Sequence, residues 1–183
     1  MKNLAVARRY AKALMLIGHG DGKAESYAEE LDLVDKVFLS EKELTDIVLN
    51  PLFERTKRRD LLFSVIDKIS ISETMKTFIM LLFDKRRIAF VHEINGYYQK
   101  FVDDIKNIAR ATITSASPLS DEIVEQLKIA LSRKTGKAVE VKLKTDPDII
   151  GGIITTIGDL VYDGSIKRQL ENMKESFKRG EVS

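Results

Sequence analysis

The chain has no cysteine and no tryptophan, and only three prolines and two histidines among 183 residues. Without cysteine there are no disulfides and no thiolate metal ligands, which fits a reducing compartment. His19 and His92 lie in different predicted elements, neither with a second ligand three or four residues away, so both read as surface or capping residues and no metal site is expected. No apolar run approaches the roughly 18–20 residues that span a bilayer, so no direct membrane insertion is expected. The opening MKNLAVARRYAKALMLIG is broken by Arg8, Arg9 and Lys12, and no small-residue cleavage site follows, so it reads as folded protein, not as a targeting peptide. An excess of one charge is also missing. Residues 1–105 carry 17 basic and 17 acidic side chains, and residues 106–183 carry 13 and 11. Neither half is a strong polycation, so long-range attraction to nucleic acid or an anionic membrane is weak.

Catalytic groups are equally thin. Gly151-Gly152…Gly158 does not match a dinucleotide fingerprint, and its glycines fall in a strand-like run. Gly136-Lys137-Ala138 lacks the upstream glycine and following Ser/Thr of a phosphate loop. Asp103-Asp104 reads as a solvated helix face, and Asp159 and Asp163 stand where aspartates bond their own turn backbone. No catalytic residue, cofactor or enzyme activity is expected. The basic stretch Arg133-Lys134-Thr135-Gly136-Lys137 lacks a G-x-x-G clamp, and the predicted strands are expected to lack the exposed aromatics that stack bases.

What is present is a soluble globular composition, 44% apolar and 32% charged. The first hundred residues read as six helices with short connections, a bundle. The first spans about Leu4–Ile17, stopped by Gly18. The second spans Lys23–Leu39, with Tyr27, Leu31, Val34 and Phe38 on one face. Ser40 and Glu43 form a capping-box pattern for a short third helix that Asn50-Pro51 ends. The fourth carries Leu61, Leu62, Val65, Ile66 and Ile69; Ser72 caps the fifth; the sixth covers about Ile88–Ile105. The first and fifth helices are apolar over more than one stripe. Either both are central, or a groove between them accepts an amphipathic helix from a partner.

Near Lys106 the hydrophobic period falls from 3.6 to 2. A strand over Ala109–Ser115 precedes a helix opened by Ser120. A half-buried strand with Val139, Val141 and Leu143 follows, and the apolar run Ile149–Ile157 predicts a buried strand. Leu160–Tyr162 adds a short strand after a Gly158-Asp159 turn, and Ser165 opens a last helix with Ile166, Leu170, Met173 and Phe177 at helical spacing. The whole is an α+β chain: a six-helix bundle over residues 1–105, then a small α/β sandwich-like domain over 106–183.

The carboxy-terminal pattern carries the sharpest signal. An apolar-x-Gly-Gly-apolar run with Gly151 and Gly152 is followed by Gly158-Asp159, Asp163-Gly164-Ser165, an apolar residue and Leu170. It resembles the signature of the δ subunit of F-type ATP synthases, the oligomycin-sensitivity-conferring protein family. Val6-Ala7-Arg8-Arg9-Tyr10-Ala11-Lys12-Ala13-Leu14 is similar to that family's opening helix, and Ile79–Arg87 to its apolar helix ending in a basic turn.

The resemblance implies a stator subunit. It would join the top of the catalytic αβ hexamer to the peripheral-stalk b subunits and stop the head co-rotating with the central shaft. Its helical domain would take the amino-terminal helix of an α subunit between the first and fifth helices, on a groove expected to be lined by Val6, Tyr10, Ala13, Leu14, Ile79, Leu82 and Phe83. The second domain would meet the b subunits' carboxy-terminal region. Gly151, Gly152, Asp159, Asp163, Gly164 and Ser165 would be structural. The location implied is peripheral, at the cytoplasmic face of a bacterial plasma membrane, because no organelle transit peptide precedes the first helix. The reading of another class is a helical adaptor with an RNA-binding α+β domain, which salt dependence would separate.

Overall fold

The computed structural model describes residues 2–179. The chain divides into two compact units after Val102.

The first unit is helical: α1 (Lys2–Gly20), α2 (Ala24–Ser40), α3 (Lys42–Leu49), α4 (Arg55–Lys68), α5 (Glu73–Asp84), a 3-10 turn (Ile88–Phe90) and α6 (Val91–Ile105). Its core joins Ala7, Ala11 and Leu14 of α1 with Tyr27, Leu31 and Val34 of α2, Ile79 and Leu82 of α5, and Ile94 and Tyr98 of α6. Ala7 and Ala11 keep one face of α1 thin, so neighbouring helices close on it.

Two local expectations are corrected. Gly18 does not stop α1, which runs on to Gly20. A Cβ at position 18 would lie 2.8 Å from the Tyr98 hydroxyl and 3.0 Å from the Ala24 Cα. Glycine stands there for close packing, and the Tyr98 hydroxyl donates to the Ala24 carbonyl at 3.0 Å. The Ser40/Glu43 capping box does not form. Ser40 is the last residue of α2, its hydroxyl donates back to the Val37 carbonyl, and α3 starts without a side-chain cap. The α2–α3 corner is fastened instead by Thr45 Oγ1 donating to the Phe38 carbonyl at 2.7 Å. Ser72 does cap α5: its Oγ accepts from Met75 N at 3.3 Å and donates to Glu30 Oε2 at 2.7 Å. The buried Asp35 carboxylate is held by Asn95 Nδ2 and His92 Nδ1, each at 3.0 Å.

The second unit holds β1 (Ile108–Ser115), α7 (Asp121–Thr135), β2 (Ala138–Thr145), a 3-10 turn (Pro147–Ile149), β3 (Ile153–Ile157), β4 (Leu160–Asp163) and α8 (Ile166–Arg179). The sheet order is β2-β1-β3-β4. β1 and β2 are parallel and joined across α7; the other pairings are antiparallel. Parallel neighbours cannot be joined by a tight turn, so the helix between them is a topological necessity. Asp103 receives Arg110 Nε and Nη2 at 2.7 and 2.9 Å, so the last turn of α6 belongs with this sheet. Ala111, Ile113 and Ser115 alternate as the buried side of β1. In β2, at the sheet edge, Val139 and Val141 are half-buried and Leu143 stays exposed.

The run Ile149–Ile157 is not one strand. Only Ile153–Ile157 pairs. Ile149 is buried by the 3-10 turn, and Ile150 and Gly152 take positive φ of 66° and 81° that break the ladder. The fold class is α+β, a helical bundle followed by a small α/β domain.

Candidate partner-binding site

In the first unit the apolar residues of α1 split into two faces. Ala7, Ala11, Leu14 and Met15 face the core. Val6, Tyr10, Ala13 and Ile17, spaced i, i+4, i+7 and i+11, form a second line: Val6 and Tyr10 are half-buried, Ala13 and Ile17 exposed. On α5 the core takes Met75, Phe78, Ile79, Leu82 and Phe83, while Thr74, Thr77 and Leu81 flank it. A cleft of about 400 Å³ opens between the helices, lined by Ile17, Glu73, Thr74, Thr77, Phe78 and Leu81. Ile17 is 46% and Leu81 43% exposed, so two large aliphatic side chains rim the cleft in water.

This geometry redistributes the groove residues expected from sequence. Val6, Tyr10 and Ala13 lie on the open line of α1. Leu14, Ile79 and Leu82 have no exposed surface and are core. Phe83 is buried against Arg58 and lines a different pocket, beside Val48 and Ile88. On the cleft side their places are taken by the exposed Ile17 and Leu81, with the buried Phe78 between them in the lining. The sequence placed these among the same apolar runs, but periodicity does not say which of two apolar faces meets the core.

The glycine-rich signature of the second unit forms a lock. Gly152 has φ of 81°, and a Cβ there would run into the Gly164 carbonyl oxygen. Gly164 N donates to the Ile153 carbonyl at 2.9 Å, and Ile166 N donates to the Gly151 carbonyl at 3.0 Å. Two backbone segments thus pass at a distance that only glycine permits. Ser165, buried, accepts from Arg168 N at 3.2 Å and caps α8. Asp163 accepts from Ser165 N at 2.9 Å, and the Ser165 side-chain and backbone hydrogen bonds hold its carboxyl below the usual range. Asp159 sits exposed in the β3–β4 turn, outside the lock.

The lock starts a helix with an open face. Ile166, Leu170, Met173 and Phe177 make an apolar stripe along α8, between 43% and 64% exposed. The sheet supplies one aromatic among its strand residues, Tyr162, and Lys134 Nζ sits 3.8 Å from its ring centroid. Tyr162 is exposed, so the expectation that the strands carry no exposed aromatic is corrected at this one position, and Lys134 stands against its ring. Among the described residues no three His, Cys, Asp or Glu side chains converge on a metal-sized site, and no helix is long and apolar enough to cross a membrane.

Comparison with known proteins agrees over the whole length. The family model for the ATP synthase delta (OSCP) subunit matches residues 6–177. The ATP synthase subunit delta of Desulfosudis oleivorans is 51% identical over 99% of both chains. That of Desulfatibacillum aliphaticivorans is 48% identical over the full length of both. The fold is also that of a chain in the cryo-EM structure of the Toxoplasma gondii mitochondrial ATP synthase hexamer. The TM-score there is 0.71, with 93% of this chain and 96% of that chain covered at 12% identity.

Proposed function

Because this chain belongs to the ATP synthase delta (OSCP) subunit family, whose members are non-catalytic stator components, we propose that it links the top of the catalytic αβ hexamer to the peripheral-stalk b subunits and resists rotary torque during proton-driven ATP synthesis. The observation that carries this reading is the α1–α5 cleft. An amphipathic helix from the α-subunit amino terminus would lay its apolar side chains between Ile17, Phe78 and Leu81, and extend along Ala13, Tyr10 and Val6. The mixed character of the rim, with Thr74, Thr77 and Glu73 beside the aliphatics, suits a helix that is apolar on one side and polar at its edges.

The second unit would take the carboxy-terminal region of the b subunits, with the α8 stripe Ile166, Leu170, Met173 and Phe177 as its apolar contact. The chain would then sit peripherally at the cytoplasmic face of a bacterial plasma membrane, held there by its partners.

A stator joint must survive repeated load. A nanomolar joint corresponds to about −12 kcal/mol, and a few desolvated aliphatic and aromatic anchors can supply it. The test is calorimetric titration of the full chain with a synthetic amino-terminal peptide of the α subunit from the same complex, at low and high salt. One-to-one binding that persists at high salt is expected, because apolar burial is not screened. Absence of binding, or affinity that collapses with salt as phosphate contacts do, would refute the groove reading.

A further inference from the structure

A second pocket lies elsewhere on the helical unit, where the end of α3, the start of α4 and the end of α5 meet. Its volume is about 390 Å³. Val48, Leu49, Phe83 and Ile88 give it an apolar lining, and Arg55, Arg58 and Arg86 bring three guanidinium groups to it. Just beyond Pro51, Leu52 is 90% exposed and Phe53 is half exposed, so the apolar surface continues along the α3–α4 turn.

The charges here are incompletely matched. Arg55 pairs with Asp84 at 2.9 Å. Arg58 Nη1 donates to the Val48 carbonyl at 3.1 Å, while its buried Nε has no hydrogen-bond partner. Arg86 makes no ion pair among the described residues. Over residues 54–60 and 84–87 there are seven basic and three acidic side chains.

The backbone at Arg86 adds an independent observation. Arg86 N donates to the Phe83 carbonyl and Arg87 N to the Leu82 carbonyl, which closes α5 with a residue at φ of 57°. Helices end this way mostly on glycine, because a Cβ is strained in the left-handed region. The position holds a long cationic side chain at a pocket rim, where packing alone would favour none.

We propose that this pocket binds an acidic amphipathic segment of a partner protein, with an apolar side chain seated against Leu49, Pro51 and Ala89 above the buried Val48, Phe83 and Ile88, and an adjacent carboxylate taken by Arg58 and Arg86. A segment both apolar and acidic matches both halves of the lining. A nucleotide matches it less well, because the Phe83 ring is buried beneath Arg58 and offers no face to a base. The site is separate from the α1–α5 cleft and does not depend on its occupant.

The test uses the full-length chain labelled with ¹⁵N and three probes: the peptide acetyl-Leu-Glu-Asp-Leu-Phe-Glu-amide, its counterpart with Gln and Asn in place of Glu and Asp, and inorganic phosphate. The acidic peptide is expected to shift the amides of Leu49, Phe83, Ile88 and Ala89, and the neutral peptide to bind about tenfold more weakly or worse. Arg86→Gly should weaken the acidic peptide by a similar factor without lowering the melting temperature, since glycine relieves the left-handed backbone. The proposal is overturned if the acidic peptide does not bind, if both peptides bind alike, if Arg86→Gly binds as well as the parent, or if phosphate alone reproduces the shifts at equal concentration.

Discussion

The two apolar faces of α1 and α5 allow one perturbation to be worked through in numbers. Replacing Ile17 and Leu81 together by alanine strips the rim of the α1–α5 cleft. Both side chains are nearly half exposed, so the fold loses little, about 1 kcal/mol or less for each. If the cleft seats a partner helix, both become buried on binding. Truncating one such anchor costs about 2 kcal/mol, close to thirtyfold in affinity, and the pair should cost more but less than the sum, since they share one cleft. The control is Leu14→Ala. That side chain is fully buried, so its loss should cost about 3 kcal/mol of stability and act on binding only through the fold. Thermal unfolding and calorimetric titration with the α-subunit peptide, run on all three proteins, separate the cases. A double variant that melts near the parent and binds the peptide as tightly would refute the assignment of these faces.

Gly152→Ala should destabilise the second unit by about 3 kcal/mol or more, because the residue would keep a left-handed backbone and collide with the Gly164 carbonyl; chemical denaturation reads it directly. Ser165→Ala should remove the α8 cap at a cost of about 1 kcal/mol, seen as faster amide exchange in the first turn of α8. Burial pushes the Tyr98 phenol up to about 12 from its ordinary value near 10. The folded state therefore keeps a proton that the unfolded chain loses, so stability is full below about pH 10 and falls as the pH rises toward 12. The loss should approach about 3 kcal/mol, and should be absent in Tyr98→Phe when both are unfolded across that range. Leu170→Ala with Phe177→Ala should weaken binding of a b-subunit carboxy-terminal peptide by at least about tenfold and leave α-peptide binding unchanged.

Much of this molecule can be read from its residues, and the failures have physical causes. Tyr27, Leu31 and Val34 announce α2 because one stripe at helical spacing has a single way to face a core. The apolar run of α5 has two such ways. Phe78, Ile79 and Leu82 are core while Leu81 borders the cleft, a choice set by tertiary packing and not by local sequence. Gly18 looked like a stop because glycine usually is one; contact with Tyr98, eighty residues on, made it a packing residue. Ile149–Ile157 looked like one strand because β-branched residues favour extension. The turn at Ile150–Gly152 is fixed by its crossing with Gly164, which local propensity does not carry. In the glycine-rich signature, Gly151, Gly152, Gly164 and Ser165 meet where α8 starts and Asp163 accepts from Ser165 N, while Asp159 stands outside that contact.

The absence of cysteine makes the most direct test clean. A single cysteine at Leu81, and separately at Leu170, can carry a short photo-crosslinker in an otherwise thiol-free subunit rebuilt into its purified ATP synthase. The account predicts an adduct to the α subunit from position 81, mapping to its amino terminus, and an adduct to a b subunit from position 170. Crosslinking from position 81 to b, or to no subunit in a complex that has incorporated the protein, would contradict it.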